Sequence, residues 1–519
     1  MLALLAAPAG AQLPGGDMPR LVVGITVDQL RTDYLQMMQR LFGERGFRRL
    51  MNSGLMYDQV TFDFPCPDRA SATASIYTGT TPSYNGIPSN TLYSVDRRRV
   101  ESVLFDVSQK GLTGEAAFSP RNLLTSTLSD ELKIASNGFS AVYSVAPTAE
   151  QAILSAGHAA DGALWFNEAT GKWVTSAYYN DLPPCAAPAN GKGDVTHRID
   201  TMSWRPLLPL SRYTGLPYQT QNFLFRHVFS KYRHLKYSLF KRSALMNEEV
   251  TRVACLVLEN GRLGTRSVPD LLNVGYSVCS FQEQPVQEYS LEMQDTYVRL
   301  DREIALLLDA VDRKVGLDNT VIFLTSTGCF SGRGKEPAQF NVPAGEFYPK
   351  RATALLNMYL MAIYGQGDWV EGYHNREIFL NRKLIEDRQI LLSEIQNRAA
   401  EFVIQMTGVQ DVVTSHLLLH GQWNNRIDAV RRGYHRKLSG DLLLEIQPGW
   451  EIVYEDVENT RDYVRDNAVP APLFFFGKNI KPQHVARPVK ATEVAPTVSR
   501  LLRIRSPNGS KEPALPELF

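Results

Sequence analysis

The chain has 519 residues, 44% of them hydrophobic and 21% charged, with a formal net charge of +1. That balance suits a globular protein with one large core or two smaller ones and excludes a disordered or fibrous chain. A charge so near zero gives no global field to draw in nucleic acid or an anionic membrane, so no nucleic-acid partner is expected and electrostatic recognition must be local.

The start, MLALLAAPAGAQ, is an apolar run closing on small residues, the form of a secretory signal with an A-x-A-like end. Residues 1–20 are therefore expected to be a signal peptide and disordered start, and the protein to be exported to the periplasm or cell surface. A basic n-region is missing, which leaves a plain Ala/Gly/Pro tail as the other explanation. LVVGITVD, Leu21 to Asp28, is a β-branched run of the kind buried on both faces of a sheet, with Asp28 at its C-terminal end. In open α/β sheets ligands bind at that edge.

From about 183 to 243 the chain is rich in Pro, Tyr and Trp without periodicity, and an inserted cap is expected there. Within it RHVFSKYRHLKYSLFKR carries Arg226, Lys231, Arg233, Lys236, Lys241 and Arg242, two histidines and no acid. The run is either a docking patch for an acidic partner, polysaccharide or lipid headgroup, or a solvated surface.

Met293, Tyr297, Leu300, Ile304, Leu308 and Val311 keep helical spacing, and Gly316 is placed to end the helix. TVIFLTST, Thr320 to Thr327, then predicts a second buried strand. Helix followed by buried strand means an α/β sandwich. From about 346 to 446 the pattern predicts a smaller α+β lobe: strands at ALLNMYLMAIYG and DLLLEI, a helix near Leu391 to Met406. No later run is long and apolar enough to span a bilayer. The five cysteines are scattered, with no C-x-x-C pair, and suggest neither a zinc knuckle nor a disulfide framework.

VVGITVDQLRTDYL, ASIYTGTTPSYNGI, SAGHAADGALWF, DTYVRLDREI, SGDLLLEIQPGW and ATEVAPTVSRLL stand in one order from about residue 21 to 515. In these segments the sequence resembles the alkaline phosphatase superfamily, and in particular the single-chain exported enzymes grouped with type I phosphodiesterases and nucleotide pyrophosphatases. The resemblance implies an α/β/α sandwich with a mostly parallel central sheet, an inserted cap and a smaller α+β lobe. It also implies two zinc ions, held by six carboxylate or imidazole ligands, that activate a Thr or Ser nucleophile.

Carried over position by position, the resemblance keeps one ligand, Asp28 of the V-D-Q motif. The nucleophile position, nine residues before Thr78, is Arg69, which cannot accept a phosphoryl group. Ser280 and Gln284 stand where an aspartate and a histidine belong, Thr327 and Gly328 where the next such pair belongs, and Ala468 where the last histidine belongs. Asn90 matches an asparagine that contacts the phosphoryl group, whereas Thr148 and Glu150 replace the expected Lys and Arg.

Zinc, the cofactor of the family, is thus expected to be lost, together with catalysis, leaving a binding or scaffold component of a cell-envelope assembly with a protein partner. The alternative is a divergent phosphate mono- or diester hydrolase with a rebuilt site, using Ser71, Thr73 or Ser280 with some other metal arrangement. Asp28, deprived of zinc, needs another counter-charge, and Arg69 is predicted to turn inward and pair with it. The other possibility is an outward Arg69 that binds an anion with Asn90. His158 is expected to be structural, and His416 and His420 to be surface residues without the Glu of a zincin site. Cys66 is similar in context to the sulfatase cysteine but stands twelve residues, not nine, before Thr78.

Overall fold

Every residue of the first strand, β1 (Leu21–Asp28), is buried, as an unbroken apolar run between neighbours on both sides requires. The computed structural model describes residues 18–110, 117–213, 224–278, 281, 290–328, 343–421, 424–455, 460–464 and 470–519. The central sheet also contains β2 (Leu55–Thr61), β3 (Val142–Ala146), β4 (Gly162–Asn167), β5 (Asp270–Ser277), β6 (Thr320–Ser326) and β7 (Ala471–Gly477). From β2 the order runs β7, β6, β1, β5, β3, β4, with short strands completing both edges.

β1 is parallel to β5 on one side and to β6 on the other, in registers that align Asp28 with Ser277 and Val27 with Ser326. β5, β3 and β4 continue in parallel, while β7 runs antiparallel between β6 and β2 and the short edge strand Lys172–Val174 runs antiparallel to β4. The sheet is mostly parallel, as expected. At Gly24, in the middle of β1, an added Cβ would lie 2.6 Å from the Phe323 ring, so only glycine lets β6 pack this closely.

Alternate residues of β1 feed two cores. Leu21, Val23, Ile25 and Val27 join Tyr276, Leu300 and Ile304 on one face, while Val22 joins Ile76, Tyr77 and Val498 on the other. The first face is covered by α2 (Ala244–Asn260) and α3 (Leu291–Lys314), the second by α1 (Arg69–Thr78) and the helix Val494–Leu501. All six positions that predicted α3 are buried, and Gly316 follows it with φ +86°. This is the expected α/β/α sandwich.

Among its described residues the cap is built of short pieces: Ser203–Trp204 pairs with His227–Val228. It is pinned to α3 through Asp295, whose carboxylate accepts from Trp204 Nε1 and Tyr213 Oη, both at 2.6 Å.

The smaller lobe has a four-stranded sheet, in the order Val370–His374, Glu377–Leu380, Leu442–Ile446, Val409–Thr414. A second sheet pairs Glu346–Phe347 with Glu451–Tyr454, which carries the lobe past residue 446. The helix near 391–406 is α5 (Leu392–Val403). The strand expected at ALLNMYLMAIYG is instead most of a helix, α4 (Pro349–Tyr364). Its buried positions Ala352, Leu356 and Leu360 recur every four residues, and Pro349 opens it at N1. Exposed Leu355, Met358 and Ile363 on the opposite face gave the segment its continuous apolar look. Among the described residues no helix is long and apolar enough to cross a membrane.

Candidate active site

The C-terminal ends of β1 and β6 and the start of α1 meet at one point of the sheet edge. Asp28 ends β1 at 1% exposure. After it Gln29 turns away at φ +66°, and its N–H donates to Thr327 Oγ1 at 3.2 Å. Thr327, just past β6, is fully buried, and its hydroxyl donates to Asp28 Oδ1 at 2.8 Å.

Arg69 opens α1. Its Nε and Nη2 both lie 2.8 Å from Asp28 Oδ2, and a quarter of its side chain is exposed. Arg69 therefore turns inward onto Asp28, so both carboxylate oxygens are engaged. A charge-assisted, forked contact of this kind is the strong class of hydrogen bond.

Local sequence explains why Arg69 is held there. Asp68 is the N-cap of α1: its Oδ1 accepts from Ser71 N at 3.0 Å, and Asp68 N donates to Ser71 Oγ at 2.9 Å, a capping box. Asn90 secures the same end, with Oδ1 accepting from Ala70 N at 2.9 Å and its own N–H donating to Asp68 Oδ2 at 2.5 Å. Burial pushes the Asp68 carboxyl above its ordinary value, against the pull of those donors and of Arg69. Gly79, at φ +63°, ends the helix.

The hydroxyls near Arg69 are committed to the helix. Ser71 Oγ donates to Asp68 Oδ1 at 2.9 Å, Thr73 Oγ1 donates to the Arg69 carbonyl at 2.6 Å, and both residues are fully buried. Neither is presented as a nucleophile. Gly328 sits at φ +66°, where an added Cβ would lie 2.3 Å from Phe62, so a histidine there would need both a left-handed backbone and a displaced ring. Ser280, Gln284 and Ala468 lie outside the described residues.

Among the described residues no three His, Cys, Asp or Glu side chains gather in a way that could hold a metal. With Asp28 engaged by Arg69 and Thr327, the described side chains do not fit a two-zinc centre.

The other candidates fall elsewhere. His158 Nδ1 meets Asp130 at 3.0 Å; burial disfavours its charge, but Asp130 outweighs this and raises it, as for a structural pair. His416 and His420 are exposed on a short helix. Cys66, Cys185 and Cys255 are free thiols, and Arg376 Nη1 lies 2.9 Å from Cys66 Sγ. In the basic run Lys236 pairs with Asp200 at 2.8 Å and Lys241 with Glu168 at 3.5 Å, whereas Arg226, Lys231 and Arg233 are exposed. Arg242 is only partly exposed.

The capping role of Asn90 and Asp68 was missed from sequence. An Asp three residues before a Ser at a helix start was the available signal.

A family model described as type I phosphodiesterase / nucleotide pyrophosphatase matches residues 22–468. The alkaline phosphatase PafA of Elizabethkingia meningoseptica is 30% identical over 511 residues, covering 95% of this chain and 93% of that protein. The alkaline phosphatase PhoV of Synechococcus elongatus is 27% identical over 514 residues, covering 95% and 91%. The crystal structure of wild-type PafA superimposes with a TM-score of 0.86 at 27% identity, covering 97% of this chain and 99% of that one. This full-length similarity to proteins named as phosphatases overturns the expectation of a non-catalytic scaffold and points to a phosphate hydrolase.

Proposed function

We propose that this chain, which belongs to the type I phosphodiesterase / nucleotide pyrophosphatase family, hydrolyses phosphate mono- or diesters from a rebuilt site at the β1–β6 edge. The observation that carries this reading is the end-to-end match in sequence and fold to alkaline phosphatase.

Hydrolysis of a phosphate ester needs a fixed positive group for the phosphoryl oxygens and a nucleophile in line with the leaving oxygen. Arg69 supplies the first. Its guanidinium carries five N–H donors on a planar fork, two of which face Asp28, and its exposed quarter is the part a phosphoryl group meets. The N-terminus of the ten-residue α1 adds partial positive charge at the same point. Asp28 and Thr327, buried behind it, are positioning residues: they hold the fork in one orientation and touch no substrate. No step is routed through zinc, because the described side chains do not fit it. With Ser71 and Thr73 committed to the helix, Ser280 is the remaining candidate for the attacking hydroxyl.

The purified chain should be assayed on p-nitrophenyl phosphate and bis-p-nitrophenyl phosphate with added zinc or with EDTA, alongside Ser280→Ala. Turnover that survives EDTA and is lost in Ser280→Ala supports the reading. No turnover of either ester would end it, and turnover abolished by EDTA would overturn the rebuilt site. The exposed cations Arg226, Lys231 and Arg233 of the cap are proposed in addition as a docking face for an acidic protein.

A further inference from the structure

On the face of the sheet covered by α2 and α3, a cavity of about 1050 Å³ opens between α3, the Leu41–Gly46 segment and Leu207–Leu208 of the cap. Its lining holds four carboxylates. Asp301 is filled by the N–H groups of Gly43 and Phe47, each at 2.7 Å. Glu44 pairs with Arg48 at 2.6 Å, and Glu248 with Arg299 at 2.6 Å. Glu303 is different: it is 7% exposed, it lines the cavity, and among the described residues it makes no ion pair.

We infer that this cavity binds a primary ammonium group carried on an apolar body, with the Glu303 carboxylate as its counter-charge. A carboxylate withdrawn from water without a cation is costly, and a ligand cation removes that cost. The chemical class follows from Glu303 and the apolar part of the lining, since of the three lining arginines Arg45 is paired with Asp309, Arg299 with Asp295 and Glu248, and Arg302 is exposed. Leu41, Leu207, Leu208, Val298 and Leu306 supply apolar walls. Among the described residues no aromatic ring lines the cavity, and they form no cage of the kind that favours quaternary ammonium groups. A carboxylate acceptor instead selects a cation with N–H donors. This inference goes beyond the phosphate-ester reading and does not rest on it.

The groups facing Glu303 are Glu248 and Cys255 of α2, Tyr276 of β5, and Arg299 and Arg302 of α3. Arg299 is committed to Asp295 and Glu248, at 2.8 and 2.6 Å, and Arg302 is exposed. Burial, with Glu248 adding to it, pushes Glu303 up to about 7 against the Thr251 hydroxyl and the two arginines. A proton and the ammonium therefore compete for the same oxygen. With half-ionisation near pH 7, the ionised fraction falls about tenfold between pH 8 and pH 6, and apparent affinity falls with it.

The test is calorimetric titration of the full chain with hexylammonium chloride at pH 8 and pH 6, with hexanol as the uncharged control. One hexylammonium per chain should bind at pH 8, about tenfold more weakly at pH 6, and more tightly than hexanol at pH 8. Glu303→Gln should lose at least tenfold at pH 8 while melting no lower than the wild type. No binding, equal binding of hexanol, or an affinity unchanged between the two pH values would each overturn the inference, as would unchanged binding in a folded Glu303→Gln. If Glu303→Gln does not fold, the wild-type pH dependence and the hexanol control decide alone.

Discussion

Replacing Arg69 with Met removes the guanidinium from the Asp28 carboxylate, which is 99% buried, and keeps the Thr327 hydroxyl that donates to it. Breaking one side of a buried ion pair costs about 3–5 kcal/mol. The quarter exposure of Arg69 lets water screen part of the contact, so about 2–4 kcal/mol is the expected loss. Unfolding entropy of about 2.1 cal/mol/K per residue, over 519 residues, comes to about 1.1 kcal/mol/K, so a loss of about 3 kcal/mol lowers Tm by roughly 3 °C. The assay is differential scanning calorimetry of wild type, Arg69→Met and the double variant Asp28→Asn/Arg69→Met. The double variant, with no stranded charge, should regain much of the loss. An Arg69→Met protein melting within 1 °C of wild type, or a double variant that melts lower still, would refute the claim that Arg69 stabilises the fold as the counter-charge of Asp28.

Asp68→Ala removes the cap of α1 and should cost about 1–2 kcal/mol, read as a lower urea midpoint with an unchanged slope. Glu303, raised from 4.5 to about 7, binds its proton more tightly folded than unfolded; its contribution is full below pH 4.5 and is lost as pH rises through 7, about 3 kcal/mol at most. Glu303→Gln should flatten that fall in urea titrations between pH 4.5 and pH 8. Charge reversal of Lys231 and Arg233 together should abolish the salt-sensitive part of retention on an acidic-protein column while leaving Tm within 1 °C, because both side chains are exposed; unchanged retention would make the run plain solvated surface.

The parts of the fold that were legible in the sequence are those where one physical pattern dominates. LVVGITVD is apolar throughout because it lies between parallel neighbours, and α3 shows its buried face at clean helical spacing. ALLNMYLMAIYG misled because the exposed side of α4 carries Leu355, Met358 and Ile363, which erases the amphipathic contrast. At the site, the Asp28–Arg69 contact was legible because the resemblance placed both residues at one point and charge balance supplied the rest. The partners of Lys236 and Lys241, 36 and 73 residues away at Asp200 and Glu168, were not, since no local pattern encodes a contact made through the cap's tertiary path. Nor was Glu303 visible as a buried carboxylate, because a charged residue on an amphipathic helix reads as solvent-facing until its neighbours are known. The expectation of a non-catalytic scaffold rested on counting replaced residues, and it is the full-length similarity to proteins named as phosphatases that overturns it.

The measurement that bears most directly on the proposed function is kcat/KM for p-nitrophenyl phosphate hydrolysis by wild type and Arg69→Met, both checked as folded by circular dichroism at the assay temperature. The account predicts turnover by the wild type and a loss of at least 100-fold, about 2.7 kcal/mol, in Arg69→Met, the scale seen when a donor to a developing oxyanion is removed. Equal turnover by the two proteins, or none by the wild type, would contradict it.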